Sequence, residues 1–527
     1  MIVLPILERE LRLASRRKAT YRLRLWTSLV GFLLCFLLVP FTGVLSGNPA
    51  GGQIIFKTLT TYAFALALSA GIFLTAQAIA DEKRDGTIGL LFLTDLRSHD
   101  LVVGKFVSCS LNAFYCLLAL FPVMALPFLM GGVTAGEFWR MTLALANALF
   151  FSLATGLTVS ALSRDSQQAM TRTLCALLFL VLGPIALEQV WSGWKLSWFG
   201  WLARGIDPLY PLRFAFENQY QSDPRQFESS LVVSNVVAWL GLLVTSWRLF
   251  RWCQDEPSVA RRSFFRSRLF PYFGPAKKRR RILAANPVAW LAGRNSMLRI
   301  LVWIFVLLLA VISYFTNFDL PSTRFVWWTG PEGIALFVIK VLAAFQACRF
   351  FVELRRSSLL EQLLCTPLTN SQIIRGQWQA FWRVFFLPCA VIFGILGLFC
   401  LPYFSPFSGG LAAMTYGVDV TRIVPRLYQL AKLVADLFAV GWVGMWLALS
   451  TRRPNFAASL TVLWVLIFPS LLFCVPDPLI DAFFITWAAN RLEADLRKTI
   501  RKQFYPTINY RDRPLPPRRV PAPPVLR

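Results

Sequence analysis

Charged residues are scarce in this sequence of 527 residues: Asp, Glu, Lys and Arg make up 15% of it, whereas hydrophobic residues make up 56%. A soluble protein of this size needs more polar surface than such a chain offers. The few charges fall between apolar runs about 20 residues long, the length at which a helix crosses a ~30 Å hydrocarbon core. The scarcity of charge therefore excludes a soluble domain and predicts a protein that crosses the lipid bilayer many times.

Among the charged residues the acidic ones are the minority, with 27 Asp and Glu against 54 Lys and Arg. A basic excess is typical of proteins that neutralise nucleic-acid phosphates. It is also typical of membrane proteins, whose loops on the cytoplasmic side carry extra Lys and Arg. Because the basic residues cluster at the ends of apolar runs, we favour the second interpretation and expect no nucleic-acid partner.

Histidine is nearly absent, and the cysteines lack any metal-binding spacing. His99 is the only histidine, and the ten cysteines form no CxxC pair and no Cys/His cluster, which argues against a zinc site, a disulfide framework and His-based catalysis. The sequence contains no GxxxxGK[ST] motif and no other Gly-rich phosphate loop, so the chain does not hydrolyse ATP by itself. We expect no enzyme and no cofactor or metal bound by this chain.

The apolar runs predict twelve membrane spans. They lie near 25–45, 58–80, 105–130, 139–162, 171–191, 230–252, 299–317, 332–352, 379–403, 427–450, 457–475 and 479–490. The last is only about half the usual length. It is included because Arg452 and Arg453 place the start of the eleventh span inside, while the basic segment after residue 490 also favours the inside. Eleven spans remain an alternative.

The termini are predicted to lie in the cytoplasm, with the chain in the cell (inner) membrane. Residues 1–26 are basic and amphipathic, and they indicate a helix along the membrane surface rather than a cleaved signal peptide. The basic loops at 81–105 and 254–297 face the same side. The Pro-rich basic residues 504–527 predict a disordered tail.

Polar and Gly residues in the loops recur along the chain, which predicts an internal repeat. The matched pairs include Arg84 with Arg356, Thr94 with Thr366, Gly104 with Gly376, Gly156 with Gly444, Arg164 with Arg452, and Pro5 with Pro287. We expect a first transmembrane domain (1–253), a basic cytoplasmic linker (254–286), a second transmembrane domain (287–503) and the tail (504–527). Because each unit has about six spans, the two units point the same way.

The connection between the second and third spans is unusually organised. Residues 81–106 read DEKRDGTIGLLFLTDLRSHDLVVGKF, and residues 353–378 read ELRRSSLLEQLLCTPLTNSQIIRGQW. In the first stretch, Gly86 permits a sharp change of direction before a short amphipathic helix. In the second, Thr369 and Gln372 have capping-box spacing. Two copies in matching places favour a helix that docks into a soluble partner over one that rests on lipid headgroups.

Both stretches resemble the characteristic loop of ABC transporter permeases of the type-2, exporter-like class. The matching residues of the first are Glu82, Arg84, Gly86, Thr87, Leu91, Thr94, Leu96, Gly104 and Lys105. Those of the second are Glu353, Arg356, Glu361, Leu363, Thr366, Pro367, Leu368 and Gly376. The departures are Asp95 for the commoner Pro, Ser358 and Leu359 for Gly-Thr, and Gln377 for Lys. The opening surface helices and residues 206–216 also look like this family.

This resemblance implies an all-α polytopic membrane protein built from two tandem parallel repeats of about six transmembrane helices. Each repeat would have an N-terminal amphipathic surface helix and a cytoplasmic coupling helix between its second and third spans. The chain would be the permease subunit of an ATP-driven exporter. ATP and Mg would bind to separate ABC ATP-binding subunits, as two copies or two different chains. Because the second stretch departs further from the pattern, we expect the first to dominate coupling.

Two alternatives remain open. An ion-coupled secondary transporter requires ionisable residues inside the spans, and Lys340 and Asp436 lie at similar depth in the eighth and tenth predicted spans. An ion pair between them that pins the spans is the simpler interpretation, and Lys432, one turn from Asp436, is another candidate partner. A non-transporting scaffold associated with an ATPase is the other alternative. The sequence does not select a substrate.

Overall fold

The computed structural model describes residues 18–42, 49–87, 98–163, 166–191, 205–254, 286–293, 296–315, 331–356, 359–400, 420–451, 454–467, 469 and 477–504. Within these ranges the chain is helical, and none of it forms a strand. We refer to residues 18–254 as the first half and to residues 286–504 as the second half.

The α-helices of the described residues follow the apolar runs of the sequence. In chain order they are α1 Lys18–Leu38, α2 Pro49–Ala70, α3 Ala80–Asp85, α4 Ser98–Leu129, α5 Ala135–Leu162, α6 Ser166–Trp191, α7 Tyr210–Phe214, α8 Glu217–Tyr220, α9 Pro224–Gln254, α10 Pro287–Ala292, α11 Ser296–Phe315, α12 Pro331–Arg356, α13 Leu359–Leu364, α14 Asn370–Cys400, α15 Val420–Ser450, α16 Ala457–Val462 and α17 Asp477–Phe504.

Six helical segments of the described residues are long and apolar enough to cross a membrane. They are Tyr21–Leu38, Gly51–Lys83, Ser98–Leu129, Ala135–Leu162, Pro224–Leu249 and Leu430–Ser450. Shorter apolar helices cover Gln168–Val181, Leu298–Leu307 and Ala457–Leu466. The chain is therefore a multi-pass membrane protein. A helix also lies at each of the other predicted spans, although the number of crossings stays a prediction.

Helix α17 differs from the short twelfth span that the sequence predicts. The apolar start and the basic segment after residue 490 form one continuous helix of 28 residues. At 1.5 Å per residue this helix is ~42 Å long, enough to cross the bilayer and extend beyond it. Hydropathy alone does not show the length of this helix, because the residues after 490 are rich in charge.

The second predicted span is interrupted, which the sequence did not predict. A π-helical turn, Gly71–Thr75, follows α2, and α3 begins only at Ala80. The backbone N–H groups of Ile79 and Ala80 both donate to Ser160 Oγ of α5, at 3.1 and 3.0 Å. The side chain of a neighbouring helix thus satisfies backbone groups that the break sets free.

Two glycines allow α5 to approach this break closely. A Cβ atom on Gly71 would lie 2.1 Å from the Ser152 carbonyl oxygen, and one on Gly156 would lie 2.2 Å from Thr75 Oγ1. In the second half, a Cβ on Gly444 would lie 2.9 Å from Ala347 Cβ of α12, which runs without a break. Gly156 and Gly444 are aligned in the predicted repeat, and both glycines face the helix before the organised loop of their half.

The two halves share one hydrophobic core. A cluster of buried side chains runs from α5 and α6 into α11, α12, α14, α15 and α17, and a second cluster belongs to the first half alone. The Phe73 ring of the π-helical turn also contacts the Phe456 ring, with centroids 6.4 Å apart. The described helices therefore form a continuous bundle.

The segment before α9 folds onto the bundle through short helices α7 and α8. Tyr210 is buried and donates from its hydroxyl to Gln226 Oε1 at 2.7 Å. Glu217 accepts hydrogen bonds from Gln221 and from Arg140 of α5. These bonds hold the pKa of Glu217 below its usual range. They tie the loop to α5 at the end opposite the first organised loop.

Candidate coupling sites

The first predicted coupling loop begins and ends on residues that contact each other. Lys105 Nζ of α4 lies 3.1 Å from Glu82 Oε1 of α3, and Thr87 Oγ1 donates to Glu82 Oε2. Side-chain exposure is 13% for Lys105 and 27% for Glu82, so water only partly screens this pair. Three residues singled out in the sequence thus close the base of the loop.

Gly86 turns the chain at this base. It caps α3 in the left-handed conformation, with φ of +70°, and its N–H donates to the Glu82 carbonyl oxygen. Among the described residues, no neighbouring atom lies within 4 Å of the position that a Cβ would occupy. Glycine is therefore favoured here by backbone conformation and not by lack of space.

Two further contacts fasten α3 to the neighbouring helices. Asp81 accepts a hydrogen bond from Ser166 at the start of α6, and Lys83 Nζ donates to the Ala161 carbonyl oxygen at the end of α5. A displacement of the loop would therefore be passed to α4, α5 and α6 together.

The second predicted coupling loop contains a short helix, α13. Its apolar residues divide by exposure: Leu359 is 43% exposed, while Leu360 is buried and Leu363 packs against the core. Thr369 N donates to Gln372 Oε1 at 3.0 Å, and Gln372 N donates to Thr369 Oγ1 at 3.3 Å. These reciprocal bonds are a capping box at the start of α14.

Gly376 lets helix α10 lie against α14. A Cβ on Gly376 would come within 2.7 Å of Val288 Cβ and 2.9 Å of Asn286 Oδ1. Asn286 caps α10 by accepting from Val288 N at 3.0 Å, and its Nδ2 donates to the Gln372 carbonyl oxygen at 2.8 Å. The helix that opens the second half is thus attached to the exit of its loop. Gly104, the aligned residue of the first half, is also buried.

The described residues at the base of the second loop differ from those of the first. Leu354 stands where the alignment places Glu82, and Gln377, in the place of Lys105, is buried and donates to the Ala347 carbonyl oxygen at 3.2 Å. Glu353 is 3.8 Å from Arg349, with its side chain 67% exposed. Arg355 instead binds the end of α15, donating to the carbonyl oxygens of Ala448 and Thr451 at 2.9 and 2.8 Å.

The remaining predicted residues of these loops are placed as follows. Thr366 and Pro367 are exposed beside α13. Leu91, Thr94 and Leu96 lie outside the described residues, as do the side chains of Arg84, Arg356 and Glu361. The docking face of the first loop therefore stays a prediction.

The predicted intramembrane residues Lys340 and Asp436 form a buried ion pair between α12 and α15. A third charged residue, which the sequence analysis missed, is Asp481 of α17. It is buried within hydrogen-bonding reach of Asp436. Its signal in the sequence is an Asp inside the short apolar stretch LIDAFFITWAAN.

The model of a family described as ABC-2 family transporter protein matches residues 40–320, more than half of the 527 residues. The match includes the first organised loop and every described helix from α2 to α11. No curated protein matches the chain.

Proposed function

The chain belongs to the ABC-2 family of transporter proteins, and from this we propose that its two organised loops couple ATP hydrolysis by separate subunits to movement of the spans. Membership makes the chain a membrane permease component of an ABC transporter that associates with an ABC ATP-binding subunit. Docking at these loops, export as the direction of transport, and the number of ATP-binding subunits belong to the proposal.

The observation that carries the proposal is the closed base of the first loop. Glu82, Thr87 and Lys105 join α3 to the start of α4, and Asp81 and Lys83 reach α5 and α6. A loop fastened in this way moves with the helices that it joins. Force applied by a docked subunit would therefore reach four helices of the bundle. A loop resting on headgroups needs no such attachment.

We further propose that the two halves are tandem repeats that provide two unequal docking sites. The glycine contacts of Gly156 and Gly444 support the repeat, because aligned glycines face the second predicted span of each half. The different loop bases support the inequality. In this arrangement both termini and both loops face the cytoplasm, and the chain lies in the cell membrane.

The direct test is purification of the tagged full chain from its native membrane, with mass spectrometry of the chains that remain bound. We expect a chain with a GxxxxGK[ST] motif, ATP hydrolysis by the complex, and hydrolysis that falls when Glu82 and Lys105 are both changed to Ala. A matched variant, Glu493→Gln on the exposed face of α17, should leave hydrolysis unchanged. A complex without any ATPase would refute the proposed coupling.

The buried charges at Lys340 and Asp436 favour the second candidate function, an ion-coupled secondary transporter. Transport assays in liposomes separate the two candidate functions, because an ABC permease moves substrate only when ATP is supplied to its ATP-binding subunits. We expect Asp436→Asn to keep ATP-driven transport, since the pair joins helices α12 and α15. Flux driven by an ion gradient without ATP would support the second candidate instead.

A further inference from the structure

A buried charged cluster lies between α12, α15 and α17, apart from both loops. Lys340, Asp436 and Asp481 are 6%, 3% and 1% exposed. The Lys340 ammonium donates to Asp436 Oδ2, and Asp481 lies within hydrogen-bonding reach of Asp436. An ion pair that merely joined two helices would need one acid and one base. The third residue adds a second acid.

Burial and the neighbouring Asp436 carboxylate disfavour an ionised Asp481, whereas the cations Lys432 and Lys340 act in the opposite direction. The groups of the described residues that act on Asp481 are Asp436 and Lys432 of α15 and Lys340 of α12. Lys340 is already engaged in the ion pair with Asp436. Two carboxylates at hydrogen-bonding distance in a water-poor interior repel each other, and such pairs hold a proton between them.

The second carboxyl oxygen of Asp481 also favours a neutral acid. Asp481 Oδ2 is buried and has no hydrogen-bond partner within the described part of the chain. A buried ionised oxygen without a partner is far less stable than the oxygen of a neutral acid. A protonated Asp481 fits, because its hydroxyl donates to Asp436 while the Asp436 carboxylate keeps its bond to Lys340.

We propose that the second half contains a proton-binding site, formed by Asp481 and Asp436, that fastens α17 to α15. Asp481 takes one proton from water, forming an O–H bond that donates to the Asp436 carboxylate; loss of that proton returns a carboxylate. The ligand is a proton and not a metal ion, because Lys340 already supplies the cation beside Asp436. A metal ion would also need several more oxygen ligands.

The corresponding polar contact in the first half has no titratable group. Asn147 Nδ2 of α5 donates to Ser234 Oγ of α9 at 2.7 Å, and Asn235 Nδ2 donates to Asn147 Oδ1 at 2.6 Å. Both contacts link the fourth and sixth predicted spans of their half. Amides and hydroxyls hold this contact at every ordinary pH, whereas the carboxyl contact weakens when its proton is lost.

Infrared difference spectroscopy of the full chain in lipid nanodiscs tests the site. It detects a protonated carboxyl directly, so no added probe has to reach the buried cluster. A protonated buried carboxyl gives a C=O stretching band separate from the amide and carboxylate bands, and this band shifts in heavy water. We expect the band at neutral pH in the wild type and in Glu493→Gln, with at least a tenfold loss in Asp481→Asn. Absence of the band in the wild type, or its persistence in Asp481→Asn, would overturn the proposal.

A second variant covers the case in which Asp481→Asn does not fold. In Asp436→Asn, Lys340 is left to pair with an ionised Asp481, so the band should also disappear. Its persistence there would overturn the shared site. Replacing choline by sodium at constant pH and ionic strength should leave the band unchanged, and a loss of the band in sodium would identify a metal-ion site instead.

The proposal also has a consequence for stability. Thermal unfolding of the wild type should shift to lower temperature as the pH rises and the shared proton is lost, because the α15–α17 contact gains a second negative charge. Asp481→Asn should remove that pH-dependent shift, because its amide keeps the neutral form. An unchanged pH dependence in this variant would contradict the proposal.

Discussion

At the scale of single residues, Glu82 contacts three neighbours at the base of the first loop: Lys105, Thr87 and Gly86. Its carboxylate accepts from Lys105 and Thr87, and its carbonyl oxygen accepts from the N–H of Gly86. The pair with Lys105 is partly exposed, so it contributes about 1 kcal/mol or less to stability. Its greater effect should be on how firmly the loop moves with α4.

A charge exchange at this pair isolates that effect. Glu82→Lys and Lys105→Glu each place like charges together, so each should uncouple ATP hydrolysis from transport while the protein remains folded. The double variant restores opposite charges and should recover most of the coupling. The measurement is the number of substrate molecules moved per ATP hydrolysed. If both single variants couple normally, the closed base of the loop has no role in transmission.

Gly86 provides a second test at residue scale. The left-handed conformation disfavours alanine by about 1–2 kcal/mol, whereas asparagine tolerates it better. We therefore expect Gly86→Ala to speed hydrogen exchange across residues 80–87 and to lower coupling, and Gly86→Asn to change both less. Space is not limiting at this site, so equal effects of the two substitutions would contradict the conformational explanation.

The sequence predicted part of these sites and missed the rest for a physical reason. Glu82, Gly86 and Lys105 stand in a local pattern, and the capping box of Thr369 and Gln372 follows from spacing alone. Ser160 and Ser166 gave no such signal. Their partners lie 80 to 85 residues away along the chain, and only the packing of the helices brings them together.

At the scale of helices, the interrupted second span and α5 fit each other through small residues. Helices in membranes associate by close packing of Gly, Ala, Ser and Thr, since lipid removes the hydrophobic drive between them. Apolar runs predict both helices, because a membrane-spanning helix needs about 20 consecutive, mostly apolar residues. They did not predict the π-helical turn, whose first residue, Gly71, lies close to the Ser152 carbonyl oxygen of α5.

Gly156→Ala tests this packing. The added methyl group would overlap Thr75 Oγ1 and the Gly71 carbonyl oxygen, at 2.2 and 2.3 Å. Overpacking of this kind typically destabilises by about 1–3 kcal/mol. We expect a lower unfolding temperature in detergent, read from intrinsic fluorescence. Gly394→Ala is the matched control, because no neighbouring atom of the described residues lies within 4 Å of its Cβ position. Equal losses in both variants would contradict the packing argument.

At the scale of the whole molecule, the two organised loops differ in how each is fastened to the bundle. The first loop has an ion pair at its base and a break in the helix before it. The second has Leu354 and a buried Gln377 at the aligned positions, and α12 runs unbroken into it. A permease with such halves would receive the two docked subunits unequally.

This inequality can be measured with charges placed on the two docking helices. Leu91→Asp should weaken docking at the first loop by ~10-fold or more, since a buried Leu contributes about 1.5–3 kcal/mol. The residue of the second loop that aligns with Leu91 is Leu363, but it packs against the core, so the exposed Leu359 of α13 is the better place for a charge. We expect Leu91→Asp to reduce ATP-driven transport more than Leu359→Asp, whereas Leu363→Asp should lower stability instead. Equal losses from Leu91→Asp and Leu359→Asp would show two equivalent sites, and a larger loss from Leu359→Asp would make the second half the dominant one.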